Sequence, residues 1–103
     1  MPEIVIVACR PKPGHEDDLV RLARGHHARL AELGLVTDRA PVLMQATDGT
    51  VVEVFEWQDG AVSWAHGMVE IQALWAEYAA ISDYVPLAEL PETEDLFAAF
   101  TPL

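Results

Sequence analysis

An unbroken run of β-branched apolar residues lies near the start of the chain, at residues 4–7 (IVIV). Because successive side chains of a strand point to opposite faces, this run is apolar on both faces. Such a run is typical of a strand that is buried on both sides. The sequence therefore predicts a strand over residues 3–10. Pro11 and Pro13 end it, because proline lacks the backbone N–H that a strand ladder uses.

The remaining elements follow from apolar periodicity and turn residues. Asp48 and Gly49 form a strong hairpin signal between two further strands. The predicted elements after the first strand are a helix at 15–33, strands at 41–47 and 51–57, a short helix at 59–66, a helix at 68–82 and a strand at 84–88. The tail at 92–103 is expected to be either one helical turn or an extended arm. This order predicts a single α+β domain over residues 1–103 with a ferredoxin-like split βαβ antiparallel sheet and the helices on one face.

The second face of this sheet needs a cover. Helices on one side leave the other side open, yet residues 4–7 and the stretch Val42, Leu43, Met44 are apolar on both sides. An antiparallel sheet with one wet face alternates apolar and polar residues instead. In a chain of 103 residues, another copy of the same surface is the natural cover. We therefore expect a homodimer.

Charge and cysteine content limit the partners and the compartment. The net charge of −11 disfavours nucleic acid and anionic membrane surfaces as partners. Cys9 is the only cysteine, so no internal disulfide can form and nothing indicates secretion. The first apolar run is too short for a signal core or a membrane span. The expected location is cytoplasmic.

Several motifs, in this order and spacing, resemble the dimeric α/β-barrel superfamily, which includes the antibiotic biosynthesis monooxygenase domain. They lie at residues 10–14 (RPKPG), 54–57 (VFEW), 65–66 (AH), 73–75 (ALW) and 84–87 (YVPL). The resemblance implies two sheets packed face to face across a two-fold axis, with a cleft between sheet and helices in each subunit. Members share their fold more than their chemistry.

The resemblance also implies a type of chemistry. Some members are monooxygenases that oxidise aromatic compounds without metal or flavin, using an asparagine, a tryptophan and a histidine. This chain has no asparagine, which weakens that reading. Haem degradation is disfavoured as well, because Leu74 stands where a histidine should follow Trp64.

Two histidines are candidates for a catalytic base or hydrogen-bond donor. His26 lies among leucines on the apolar stripe of the first helix, and His66 follows Trp57 by nine positions, where the resemblance places a pocket residue. The structural alternatives are a buried His26 bound to a backbone carbonyl and a His66 that caps a helix end. Glu53 and Glu56 lie on opposite faces of one strand, and alternation cannot decide which one is buried.

A ligand site would be completed by an acidic residue and aromatic side chains. The candidate ligand-binding residues are Glu53, Phe55, Trp57, Trp75 and Tyr84. The alternative for the aromatics is core and interface packing. No histidine pair is spaced i, i+4 and no Cys/His cluster exists, so no metal is expected. No glycine-rich phosphate loop or dinucleotide motif is present, so we expect no cofactor.

Two functional hypotheses follow. The first is a small-molecule-binding homodimer acting as a cofactor-independent enzyme, monooxygenase-like or isomerase, on a small aromatic or apolar compound. The second is a non-catalytic dimeric module that binds a ligand or a protein partner. An enzyme needs a roomy cleft with converging polar groups, whereas a module could have that region filled by side chains.

Overall fold

A computed structural model describes residues 1–103. The chain forms five strands, three α-helices and two short 3₁₀ turns. In chain order these are β1 (Glu3–Pro11), α1 (Glu16–Glu32), β2 (Val42–Gln45), β3 (Val51–Trp57), α2 (Ala61–His66), α3 (Val69–Ile81), β4 (Ser82–Tyr84), the 3₁₀ turns Leu87–Glu89 and Pro91–Glu94, and β5 (Thr101–Pro102).

The strands form one sheet in the order β4-β1-β3-β2-β5. Every pairing is antiparallel, and β1 and β3 at the centre pair along seven positions from Glu3–Trp57 to Cys9–Val51. An antiparallel sheet with helices and strands in this order is an α+β arrangement consistent with a ferredoxin-like fold. The predicted fold class is confirmed at this level.

The main core lies between the sheet and the helices. On α1 the buried positions Leu19, Ala23, His26 and Leu30 recur at helical spacing and form one stripe. On α3 the buried positions are Ile71, Leu74 and Tyr78. These stripes pack on the face of β3 that carries Val51, Phe55 and Trp57. A polar side chain on this face or on either stripe is therefore buried in the core.

The opposite face of the sheet is covered only in part. The segment after β4 folds back over it, so that Leu90 packs with Ala8, Ala46 and Val52 in a second, smaller cluster. Beyond that cluster three apolar residues remain open to solvent: Ile4, Ile6 and Val42 are 56%, 50% and 53% exposed. We call these three residues the open sheet patch.

The turn between β2 and β3 follows the sequence signal. Gly49 adopts a positive φ of 89°, a conformation that side chains with a Cβ disfavour. The Asp48 carboxylate accepts a hydrogen bond of 2.8 Å from the backbone N–H of Thr50. The backbone N–H of Gly49 donates to the Ala46 carbonyl at 3.1 Å, and that of Ala46 donates to the Thr50 carbonyl at 2.8 Å, so the turn joins β2 to β3.

The predicted last strand at residues 84–88 was wrong in its position. The strand β4 is Ser82–Tyr84, directly after α3, and residues 87–89 form a 3₁₀ turn instead. Pro86 precedes that turn and has no N–H to donate to a ladder. The tail combines both predicted forms, since a 3₁₀ turn at Pro91–Glu94 precedes the short strand β5.

None of the helices combines the length and the apolar character needed to cross a bilayer.

Candidate active site between the sheet and the helices

Three buried polar side chains meet beneath the helices, one from each of three elements. The Nδ1 atom of His26 on α1 lies 2.8 Å from Oε1 of Glu53 on β3. The hydroxyl of Tyr78 on α3 donates to the other carboxylate oxygen, Oε2, at 2.9 Å. His26 and Glu53 are only 7% and 6% exposed, so these hydrogen bonds are shielded from water. We call these three residues the His–Glu–Tyr cluster.

The hydrogen bonds of the cluster define where the proton lies on the imidazole. An ionised carboxylate only accepts hydrogen bonds, so Glu53 accepts from the Tyr78 hydroxyl and from Nδ1–H of His26. In the neutral ring the other nitrogen, Nε2, then carries a lone pair and no proton. This Nε2 atom is buried and has no hydrogen-bond partner. Buried polar atoms normally have one, so an unpartnered acceptor in a core needs an explanation.

Aromatic neighbours fix the plane of the His26 ring. Phe55 and Tyr78 meet it edge to face, with ring centroids 5.6 Å and 5.1 Å away. Phe55 is itself packed against Trp57 at 5.3 Å. The imidazole is therefore held by one hydrogen bond and two ring contacts. A base held in one orientation is favourable for proton transfer, since little reorganisation is needed when a substrate arrives.

The cluster lies beside a cavity of about 230 Å³ between the sheet, α1 and α3. Its walls are mainly aromatic and aliphatic and include no lysine or arginine. The lining residues are Val5, Val7, Cys9, His26, Glu53, Phe55, Trp57, Trp75, Tyr78 and Tyr84. An apolar chamber with a few converging polar groups is the usual form of a small-molecule site.

Burial and the Glu53 charge keep the other acidic groups of the cavity protonated. Burial raises the pKa of the Cys9 thiol to about 12, and the nearby carboxylate of Glu53 adds to this effect. Burial likewise raises the pKa of Tyr78, helped by the charge of Glu53 and the hydrogen bond to it. Burial also raises the pKa of Tyr84, with smaller effects from Cys9 and Glu53. Cys9 is thus a neutral thiol with little nucleophilic character.

The structure brings together most of the residues that the sequence singled out. The five candidate ligand-binding residues, Glu53, Phe55, Trp57, Trp75 and Tyr84, all line the cavity together with His26. The partner of His26 is a carboxylate and not the backbone carbonyl that the structural alternative required.

His66, the second candidate catalytic histidine, lies outside the cavity. It is exposed at the end of α2, and it is not among the residues that line the cavity. Its ring packs edge to face with that of Trp75, with centroids 5.0 Å apart, so it contacts a residue of the cavity wall without lining the cavity itself. Its backbone carbonyl accepts a hydrogen bond of 2.7 Å from Gln72.

The two glutamates of β3 lie on opposite faces of the strand and have different partners. Glu53 belongs to the cavity, whereas Glu56 lies on the other face and forms an ion pair with Arg39 at 3.2 Å. The Thr37 hydroxyl donates to Glu56 at 2.8 Å, and this hydrogen bond together with Arg39 lowers the pKa of Glu56. Arg10 pairs with Asp48 at 3.3 Å.

Sequence reasoning missed the role of Tyr78. It lies on the apolar stripe of α3, and its spacing shows only that it faces the core. A tyrosine on a buried helix stripe carries a hydroxyl that needs a partner. A glutamate on a buried strand face needs a hydrogen-bond donor in the same way. These two requirements together could have indicated the pairing of Tyr78 with Glu53.

The residues of the cavity favour acid–base chemistry and ligand binding. No group of three or more His, Cys, Asp or Glu side chains is arranged to hold a metal ion. A histidine oriented by a buried carboxylate, with its second nitrogen unpartnered, is the arrangement of a general base. Comparisons with family models, with curated proteins and with solved structures give no match to this chain. The geometry of the cavity therefore carries the functional interpretation.

Proposed function

We propose that this chain is a homodimeric small-molecule-binding protein whose cavity takes a small apolar or aromatic compound, with His26 as general base. The observation that carries the proposal is that His26, which is hydrogen-bonded through Nδ1 to the buried Glu53, lines an otherwise apolar cavity. A base in such a place can accept a proton from a bound ligand, while Glu53 stabilises the imidazolium that forms. The reaction class is a cofactor-independent one, monooxygenase-like or isomerase.

The dimer is part of the same proposal. The open sheet patch leaves three large aliphatic side chains about half exposed on the face opposite the helices. A contiguous apolar surface on a sheet is a common site of association. A second copy related by a two-fold axis would bring the same patch onto itself. This arrangement agrees with the dimeric α/β-barrel resemblance, including the antibiotic biosynthesis monooxygenase-like domain.

Tryptophan signals provide a direct test of ligand binding. Trp57 and Trp75 line the cavity, whereas Trp64 is exposed and outside it. Benzene added to ¹⁵N-labelled protein is expected to shift the indole N–H resonances of Trp57 and Trp75 and to leave that of Trp64 in place. A Val7→Phe variant, which fills the cavity, should lose these shifts, and Val69→Phe on the surface of α3 should keep them. Equal shifts of all three indoles, or none, would contradict the proposal.

A non-catalytic binding module is the second hypothesis, and the same site separates the two. His26→Gln retains polarity and approximate volume but removes the base. In an enzyme this variant keeps ligand-induced tryptophan shifts and loses turnover of whichever compound the wild type converts. In a binding module no compound is turned over by either protein.

A further inference from the structure

We infer that Leu96 and Phe97 of each chain pack on the open sheet patch of a second copy, next to its Val42. This inference rests on the homodimer of the proposed function and names the surface that meets the patch. The two side chains belong to residues 85–100, the segment between β4 and β5. We call this segment the covering segment, and Leu96 and Phe97 its tip.

The tip is an exposed apolar surface on the same side of the sheet as the patch. Leu96 and Phe97 are 91% and 87% exposed, although both are large apolar side chains. Other exposed apolar residues, such as Trp64 and Val69, belong to α2 and α3 and lie on the opposite side of the sheet. Exposed apolar surface concentrated on one side of a small protein is typical of an association site.

Contacts with the covered part of the sheet hold the tip at both of its ends. Before the tip, the Glu92 carboxylate accepts hydrogen bonds of 2.8 Å and 3.0 Å from the backbone N–H and the hydroxyl of Thr47. After the tip, Phe100 packs in the second cluster and Thr101 pairs with Gln45. The tip is therefore held near the end of β2 that leads into the hairpin.

The sheet face that carries the patch has a covered half and an open half. The cross-strand row through Ala8 and Met44 lies beneath Leu90 of the covering segment. The adjacent row through Ile6 and Val42 is about half exposed. The covering segment thus raises the surface over one half of the face and leaves the other half low.

This difference in height restricts the orientation of a face-to-face dimer. A two-fold axis along the strands places the raised halves on each other and keeps the open halves apart. An axis across the strands places each raised half on the open half of the other copy, so the surface is self-complementary, as a two-fold interface requires. Each β2 then runs antiparallel to the other β2. The tip, at the end of one β2, meets Val42 at the beginning of the other.

The patch alone is too small to hold a stable dimer. Its three half-exposed aliphatic side chains fall well short of the roughly 800 Å² that each partner of a stable complex buries. The tip adds apolar surface on the same side, and an aromatic side chain such as Phe97 buries on the order of 150 Å² or more. The neighbouring Glu94 and Asp95 are exposed and suit the polar rim of an interface.

Phe97→Ala tests the contribution of the tip by sedimentation equilibrium. Because the Phe97 side chain is exposed, the fold of the single chain should be unchanged, which circular dichroism checks. The Kd of the dimer is expected to rise at least about tenfold, as for a buried aromatic at the centre of an interface. The matched control is Trp64→Ala, which removes an exposed aromatic on α2 and should leave the Kd unchanged.

Disulfide formation tests the orientation of the two copies. In a Cys9→Ala background, the paired substitutions Val42→Cys and Phe97→Cys should give a disulfide-linked dimer after mild oxidation, seen on a non-reducing gel. The control pair Val42→Cys and Trp64→Cys places the second thiol on the helix side and should give no linked dimer.

The outcomes separate this inference from the proposed function. If the wild type sediments as a monomer at micromolar concentration, the proposed dimer is wrong and the exchange of surfaces with it. If the wild type is a dimer and Phe97→Ala is no weaker than Trp64→Ala, the dimer stands and the role of the tip is overturned. A dimer in which the Val42→Cys and Phe97→Cys pair forms no linked species overturns the orientation.

Discussion

Glu53 occupies a position that alternation alone leaves undecided. The pattern of β3 places Glu53 with Val51, Phe55 and Trp57, and it places Glu56 on the other side. The buried side is determined by the stripes of α1 and α3, which lie 27 and 25 positions away from Glu53 at His26 and Tyr78. Contacts over such separations depend on how elements pack, so the site residues could be predicted individually and their hydrogen bonds could not.

Tyr78→Phe is expected to reduce stability. It removes the hydroxyl that donates to Oε2 of Glu53 and leaves a buried carboxylate oxygen without its partner. An unsatisfied buried acceptor costs about 1–3 kcal/mol, and the free energy of unfolding measured in urea should fall by this amount. The matched control is Tyr84→Phe, because Tyr84 is 58% exposed and its hydroxyl makes no hydrogen bond within the chain. Equal effects of the two substitutions would contradict the importance of this contact.

Cys9 is expected to be unreactive in the folded protein. Its pKa of about 12 favours the thiol, and the side chain is buried against the cavity, so little thiolate is exposed to a reagent at pH 8. Labelling with a disulfide reagent should be slow in buffer and complete after unfolding in guanidinium chloride. Rapid labelling of the folded protein would show that this part of the core opens readily.

At the scale of helices and strands, sequence patterns predicted the boundaries that local residues determine. Val51–Trp57 was predicted with the bounds that the structure has, because a hairpin glycine precedes it and β-branched and aromatic residues follow one another along it. The strand after α3 was predicted too late in the chain, because Tyr84 and Val85 have strand propensity whereas Ser82 and Asp83 do not. Pairing with residues Cys9 to Pro11 of β1 overrides that local preference.

Two glycine substitutions should have opposite effects on stability. Gly49→Ala forces a Cβ into the left-handed turn conformation, which costs about 1–2 kcal/mol. Gly25→Ala lies within α1, where an added Cβ meets no atom within 4 Å, and alanine favours a helix over glycine by about 1 kcal/mol. Thermal unfolding should therefore show a lower Tm for the first variant and a higher Tm for the second. A loss of stability in both would contradict the assignment of Gly25 to an open helix surface.

For the whole molecule, the sequence predicted that the sheet would be apolar on both faces, and one chain covers only part of the second face. Leu90 and its neighbours protect Ala8 and Val52, and the open sheet patch lies beside them. Neither periodicity nor turn chemistry could indicate that the C-terminal segment folds under the sheet, since its residues carry no regular pattern. The homodimer remains a prediction, and the open sheet patch is the surface through which we expect it to form.

Ile6→Asp tests that surface. Ile6 lies on the open sheet patch, whereas the neighbouring Val5 lines the cavity, so a charge at Ile6 spares the helix-side core. In a two-fold dimer the substitution places two carboxylates near each other in an apolar interface, and burial of unpaired charges is costly. Light scattering after gel filtration should show a dimer for the wild type at micromolar concentration and a loss of that dimer for the variant. Val69→Asp, on an exposed residue at the start of α3, should remain dimeric. A wild-type chain that is a stable, folded monomer at micromolar concentration contradicts the dimer, and the open sheet patch would then need another partner.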